Sequence, residues 1–180
     1  MKAPASGGVA REPMQHFWRN RQGTLNRIKS GFGGSRCWTD EYEVDSEKKT
    51  ISLTATLDIT PEQKGRLIIE ARDELDIVDV YFYYDLKCKE TKLEQMALLL
   101  NGIHVRWHFG RFEVFPDGYV RWRHRVDFEG SQPTGLSLER IVGPGWDATG
   151  KFADVIAAVA LTKLSAAEAL EEYDAQEETE

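Results

Sequence analysis

The sequence predicts an α+β domain in which helices flank a five-stranded, mainly antiparallel sheet, in the order α-βββ-α-ββ-α. Three observations lead there. Residues 51–59 alternate apolar and polar without a break, and Pro116-Asp117-Gly118 separates two more alternating runs. Beyond residue 150 the apolar residues fall at three-and-four spacing instead. A chain of 180 residues, 41% of them hydrophobic, is the size of one domain with a real core.

Residues 1–13 are rich in Ala, Gly, Ser and Pro, and residues 171–180 are mostly Glu. Neither stretch has the apolar content to order itself, so both read as disordered tails around a domain at 14–170. Met14, Phe17, Trp18, Leu25 and Ile28 are spaced as a short helix, which Gly31 to Gly34 ends. Ile51, Leu53, Ala55, Leu57 and Ile59 form the buried face of the first strand. Thr60-Pro61-Glu62-Gln63-Lys64-Gly65 supplies turn residues, and a return strand follows over 66–71. A helix opened by Thr60 and Pro61 is the competing reading.

Residues 77–86 are β-branched and aromatic, with Val80, Phe82, Tyr84 and Leu86 on one face and Tyr81 and Tyr83 on the other. Thr91 and Glu94 match a capping box, and Gly102 stands where a helix C-cap belongs, which predicts a helix over 91–101. Residues 104–128 form the clearest hairpin, its second arm turning Val120, Trp122, His124, Val126 and Phe128 one way and Arg121, Arg123 and Arg125 the other. The C-terminal part reads as helix, broken at Gly143-Pro144-Gly145 and resumed through Phe152, Val155, Ile156, Val159 and Ala160. Ser165 with Glu168 is a second capping box, opening a last short helix.

A net charge of −7 argues against nucleic acid and anionic lipid as general partners. Arg19, Arg21, Arg27 and Lys29 make a local basic stretch, read chiefly as a solvated helix face and secondarily as a nucleic-acid or acidic-partner contact. The longest apolar run, Val155 to Leu161, is far short of the roughly twenty residues that cross a bilayer, and no signal-peptide pattern opens the chain. Cys37 and Cys88 lack ligand-spaced neighbours and read as free thiols, in keeping with a cytoplasmic protein.

No spacing that by itself implies catalysis or phosphate binding occurs, and the Gly31 to Gly34 run lacks the Lys and Ser/Thr of a phosphate loop. His104 and His108 are four apart but have no neighbouring Cys, Asp or Glu to complete a metal site. Asp73, Glu74, Asp76, Asp79 and Asp85 read as solvated charges at strand ends rather than an acid/base pair. No catalytic residue, cofactor or metal ligand is assigned. The feature with most functional content is the row Arg121, Arg123, Arg125, about 6.6 Å apart along one sheet face. With Tyr81 and Tyr83 on the same side, the row suits an acidic or peptide partner, while cross-strand pairing with Arg111 and Glu113 is the plainer explanation.

The order of elements and several strings resemble the YbjN family of small bacterial proteins over residues 37–162. The strings are Asn101-Gly102, Gly110-Arg111-Phe112 leading into Pro116-Asp117-Gly118-Tyr119-Val120-Arg121-Trp122-Arg123, Gly135-Leu136-Ser137-Leu138, and the helix around Ala153-Asp154. The resemblance implies a type III secretion chaperone-like fold, often dimeric, that holds a segment of another protein without chemistry of its own. The basic N-terminal stretch and the Glu-rich end depart from the family pattern.

Together these readings give a non-enzymatic, chaperone-like or regulatory adaptor whose partner-binding face carries Tyr81, Tyr83, Arg121, Arg123 and Arg125. The alternative is an enzyme or small-ligand binder using a pocket around Trp107, His108, Trp122 and His124.

Overall fold

The computed structural model describes residues 37–45, 47, 50–72, 75–128 and 135–178. The tail at 1–13, the helix at 14–30 with its basic side chains, and Asp73 and Glu74 lie outside the described residues. The chain is α+β, as its periodicity predicts. Six strands form one sheet: β1 (Cys37–Asp45), β2 (Thr50–Asp58), β3 (Lys64–Arg72), β4 (Ile77–Lys87), β5 (Arg111–Val114) and β6 (Tyr119–Asp127). Their order is β1-β2-β3-β4-β6-β5 and every pairing is antiparallel. The five expected strands are β2 to β6, contiguous in the sheet, and β1 adds an edge beside β2.

Four helices complete the described fold: α1 (Leu93–Arg106), α2 (Gly135–Lys151), α3 (Ala153–Leu161) and α4 (Ala166–Glu177). They cover one face of the sheet. Ile51, Leu53, Ala55, Leu57, Leu67, Ile69, Val78, Val80, Phe82, Tyr84, Val120 and Trp122 point into this layer and pack with Met96, Leu99, Leu138, Val142, Phe152 and Ile156. Alternation along β2 and β4 thus placed the core side chains correctly. Tyr81 and Tyr83 project from the opposite face, in register with Arg123 and Arg121 across β6.

The turn after β2 is a turn and not a helix. Thr60 Oγ1 accepts from the amides of Glu62 and Gln63 at 3.3 and 3.1 Å, and the Ile59 amide donates to the Gln63 carbonyl at 2.8 Å. Around Pro116-Asp117-Gly118 the Gly118 amide donates to Phe115 O at 2.9 Å, and Gly118 supplies the positive φ, +90°, that the reversal needs.

Several helix ends differ from their sequence signals. Lys92, not Thr91, is the N-cap of α1, with no side-chain cap, because a 3-10 turn at Glu90–Lys92 precedes it. Gly102 does not stop the helix. A Cβ there would collide with Leu170 Cδ1, so this glycine serves the close approach of α4 to α1, and α1 runs on to Arg106. His104 is therefore helical, and the hairpin begins at Arg111 rather than 104. Only the Ser165–Glu168 capping box forms as read, with both reciprocal bonds present.

The Gly143-Pro144-Gly145 break is also corrected: α2 passes through it and yields only at Phe152. Pro144 forfeits one helical hydrogen bond, but Leu138, Ile141, Val142, Gly145, Ala148 and Thr149 make a continuous buried stripe that a break would destroy. Gly145 lies under the rings of Trp122 and Phe82, where no Cβ fits, whereas a Cβ at Gly150 meets nothing within 4 Å. Gly145→Ala is therefore expected to destabilise by about 1–3 kcal/mol through overpacking, and Gly150→Ala to stabilise by up to about 1 kcal/mol through helix propensity. Urea denaturation of both variants checks the pair of opposite signs.

The last helix extends over much of the segment read as an acidic tail, with α4 reaching Glu177. Arg106 pairs with Asp174 and Lys151 with Glu177, so acidic residues that look like a solvated run are tied to α1 and α2. Among the described residues, no helix is long and apolar enough to cross a membrane.

Candidate functional site

Because β3, β4, β6 and β5 are in register, alternate residues meet in rows on the face that the described helices leave uncovered. One row is Ser52, Glu70, Asp79, Arg125; the next is Thr54, Ile68, Tyr81, Arg123, Arg111; the third is Thr56, Arg66, Tyr83, Arg121, Glu113. All five residues singled out as partner-binding, Tyr81, Tyr83, Arg121, Arg123 and Arg125, are brought together here.

The arginines do not form a bare positive strip. Asp79 is completely buried between two of them: its Oδ1 accepts from Arg123 Nε and Nη2 at 3.1 and 3.0 Å and from Arg125 Nε at 2.9 Å, and its Oδ2 from Arg125 Nη2 at 2.8 Å. This corrects the expectation that Asp79 is a solvated strand-end charge. Burial pushes its carboxyl pKa up, but the hydrogen bonds from Arg125 and Arg123 prevail and hold it below the ordinary value. Asp85 and Asp76, its companions in sequence, do not join the cluster: Asp85 is exposed, and Asp76 sits in the turn before β4 at φ +50°.

Arg121 is the most enclosed of the row. Its Nε and Nη2 reach Glu113 Oε2 at 2.7 and 2.6 Å, and Nη1 donates to the Tyr83 hydroxyl at 2.7 Å. The guanidinium carbon lies 4.6 Å from the ring centres of both Tyr81 and Phe115. Burial works against the charge, but the bonds to Tyr83 and Glu113 raise the Arg121 pKa overall. Glu113 also binds Arg111 at 3.0 Å, so the cross-strand pairing anticipated in the sequence is present.

What the cluster leaves to solvent is its rim: the Arg111 side chain is 61% exposed and that of Arg125 43%, against 15% for Arg121 and 17% for Arg123. Arg66 is exposed too, 5.8 Å from the Tyr83 ring centre. Tyr81 is almost covered, and burial with the nearby Asp79 charge raises its pKa. The result is a rigid aromatic and guanidinium ladder whose internal charges are neutralised and whose outer arginines can donate to a ligand.

The rival set, Trp107, His108, Trp122 and His124, does not converge. Trp122 is wholly buried, its ring 5.9 Å from those of Phe82 and His124 and its indole N–H donating to Phe109 O at 3.1 Å. Trp107 packs edge-on against Phe152, its indole nitrogen buried without a partner among the described residues, and His108 is exposed. His104 Nε2 accepts from the Phe112 amide at 2.8 Å, and burial lowers its pKa, so it clamps α1 to β5 as a neutral ring. Among the described residues, no group of three or more His, Cys, Asp and Glu is placed to hold a metal. Cys88 is buried, and burial raises its thiol pKa; Cys37 lies on β1.

Other surface hollows stand outside this cluster. One of about 460 Å³ lies on the same sheet face at the β1–β3 end, lined by Glu43, Asp45, Thr50, Ser52, Glu70, Arg72 and Leu75. Another, about 490 Å³, lies between α3 and α4.

No family model matches the chain, and no solved structure matches it. The chain is similar to Coronin-7 from Rattus norvegicus, 33% identical over 118 residues. That likeness covers 62% of this chain but only 12% of the length of Coronin-7.

Proposed function

We propose that this chain is a non-enzymatic protein-interaction module, an adaptor or chaperone-like holder that docks an acidic segment of another protein on the sheet face bearing Tyr81, Tyr83, Arg121, Arg123 and Arg125. The observation that carries the reading is the pre-built ladder itself. Tyrosine and arginine are the residues that dominate binding energy at protein interfaces, and here their rotamers are already held by Asp79, Glu113 and one another. A partner therefore meets a surface whose ordering cost is met in the free protein. Recognition falls to the exposed rim, Arg66, Arg111 and Arg125, with Tyr83 as the central contact. The order of elements remains compatible with the YbjN-like, chaperone-like resemblance, and a likeness confined to a small fraction of Coronin-7 suits a module that also occurs within longer chains.

The test places a photo-crosslinking phenylalanine analogue at Tyr83 and, as control, at Lys163 on the helical side, in the full chain. The expected result is one partner crosslinked from position 83 and not from 163, whose affinity falls at least tenfold in an Arg66→Glu/Arg111→Glu variant that leaves the Asp79 cluster intact. A partner bound equally by that variant, or crosslinked from 163 alone, overturns the reading.

A further inference from the structure

On the helical side, the hollow of about 490 Å³ between α3 and α4 is apolar within and acidic at its border. Val155, Leu164 and Tyr173, partly buried against the core, line it together with Ala158. Asp154, Glu172 and Glu177 stand around it, and its single described cation, Lys151, is already paired with Glu177. α4 carries Glu168, Glu171, Glu172, Asp174 and Glu177 and no Lys or Arg. The negative charge of this border is therefore only partly balanced.

Residues 14–30 are the chemical complement within the same chain. With about 3.6 residues per turn, Met14, Phe17, Trp18, Leu25 and Ile28 fall within an arc of about 100°, the width of one apolar helix stripe. The segment also carries Arg19, Arg21, Arg27 and Lys29 and no Asp or Glu. Its cations suit a solvated face beside carboxylates, but a stripe holding Phe17 and Trp18 needs cover.

The segment is within reach of the groove. β1 starts at Cys37, opposite Leu57 near the end of β2. At that end the β2–β3 turn sends Gln63 Nε2 to the Ala153 carbonyl at 3.1 Å and to Asp154 Oδ1 at 3.5 Å. The chain thus enters the sheet about two strand spacings of roughly 4.8 Å from the turn that touches the border of the groove. Residues 31–36, when extended, span up to about 20 Å, which covers that distance.

We propose that residues 14–30 dock as an amphipathic helix in the groove between α3 and α4 of their own chain, setting Phe17 and Trp18 against Val155, Leu164 and Tyr173 and their cations beside the α4 carboxylates. Apolar anchors at i, i+3 and i+4 entering a groove are the usual terms of helix recognition. The short connection favours this occupant over a separate protein, because it holds the segment at about millimolar effective concentration. The uncovered sheet face lies on the other side and stays open to a partner.

The test uses the purified full chain with a photo-crosslinking phenylalanine analogue at Phe17. The expected product keeps the mass of one chain, and digestion with trypsin joins peptide 12–19 to 152–163 or 164–180, the segments that form the groove. Glu172→Lys reverses a charge on the border, and Ala158→Arg puts a long cation into the hollow. Each is expected to cut the intrachain yield at least threefold while circular dichroism shows the fold retained. Glu172 is exposed, so its variant decides the matter if Ala158→Arg disturbs folding. Crosslinks to sheet-face peptides, a product of doubled mass, no intrachain product, or a yield indifferent to the variants overturns the proposal. These products form in the purified chain with no partner present, so they are read independently of partner capture from position 83.

Discussion

Trp122→Ala is expected to lower the unfolding free energy by about 4 kcal/mol, read as a fall in the urea midpoint at unchanged slope. Trp122 is the largest fully buried side chain in the described fold and is enclosed by the sheet, by α2 and by the backbone at Gly110. Its ring packs on Phe82 of the neighbouring strand and on His124 of its own, Gly145 of α2 presses against its six-membered ring, and Gly110 closes over the other edge. The indole N–H also satisfies the Phe109 carbonyl, so truncation leaves a cavity and an orphaned acceptor together. Backbone glycines cannot reach across to fill the gap, which places the cost in the upper part of the range for aromatic truncation. A loss under about 1.5 kcal/mol would mean that α2 does not seat on β6 as described. If the position lined a ligand pocket instead, the variant would lose binding with little loss of stability, and the two outcomes are easily told apart.

Asp79→Asn is expected to cost about 3 kcal/mol. Removing one member of a buried ion cluster strands the others, and here a single carboxylate serves Arg123 and Arg125 at once. The outer guanidinium keeps access to water, which moderates the loss. The pH dependence carries the more distinctive signature. The Asp79 carboxyl titrates lower in the folded chain than in the unfolded one, so its contribution is fully present above the ordinary value of 3.8 and is lost as the pH falls through the folded value. The stability gap between wild type and variant is therefore expected to be constant near neutrality and to shrink in acid, below about pH 4. A gap that persists unchanged to pH 2 would show that the variant acts by shape and not by charge.

The same cluster explains why the functional face was only half legible. Parity along β4 and β6 put Tyr81, Tyr83 and the three arginines on one side, and that needed nothing beyond a period of two. Whether those arginines were free was not encoded locally. Asp79 is 44 and 46 residues from the side chains it neutralises, and only the β4–β6 register makes them neighbours. Its position in an acidic stretch near a turn looks like solvated charge, although the alternation that exposes Tyr81 and Tyr83 also aligns Asp79 with them.

By itself the sequence determined the fold class, the strands β2 to β6, the side of the sheet that bears the core, the hairpin at Gly118 and the Ser165 cap. Each depends on residues within a few positions of one another, where periodicity, turn geometry and side-chain capping act directly. Only the tertiary structure decided that Gly102 and Pro144 lie within helices and that the acidic end forms a helix tied to its neighbours. It alone decided, too, that the arginine row is a rigid ladder in which Asp79 and Glu113 offset part of the positive charge. In each case a long-range contact outweighed a local preference worth about 1–3 kcal/mol: Leu170 against Gly102, Trp122 and Phe82 against Gly145, Arg106 against Asp174, Asp79 against Arg123 and Arg125. Such contacts exist only once distant segments are packed, because the energies that settle them come from burial and pairing across the sheet rather than from the chain's own neighbours.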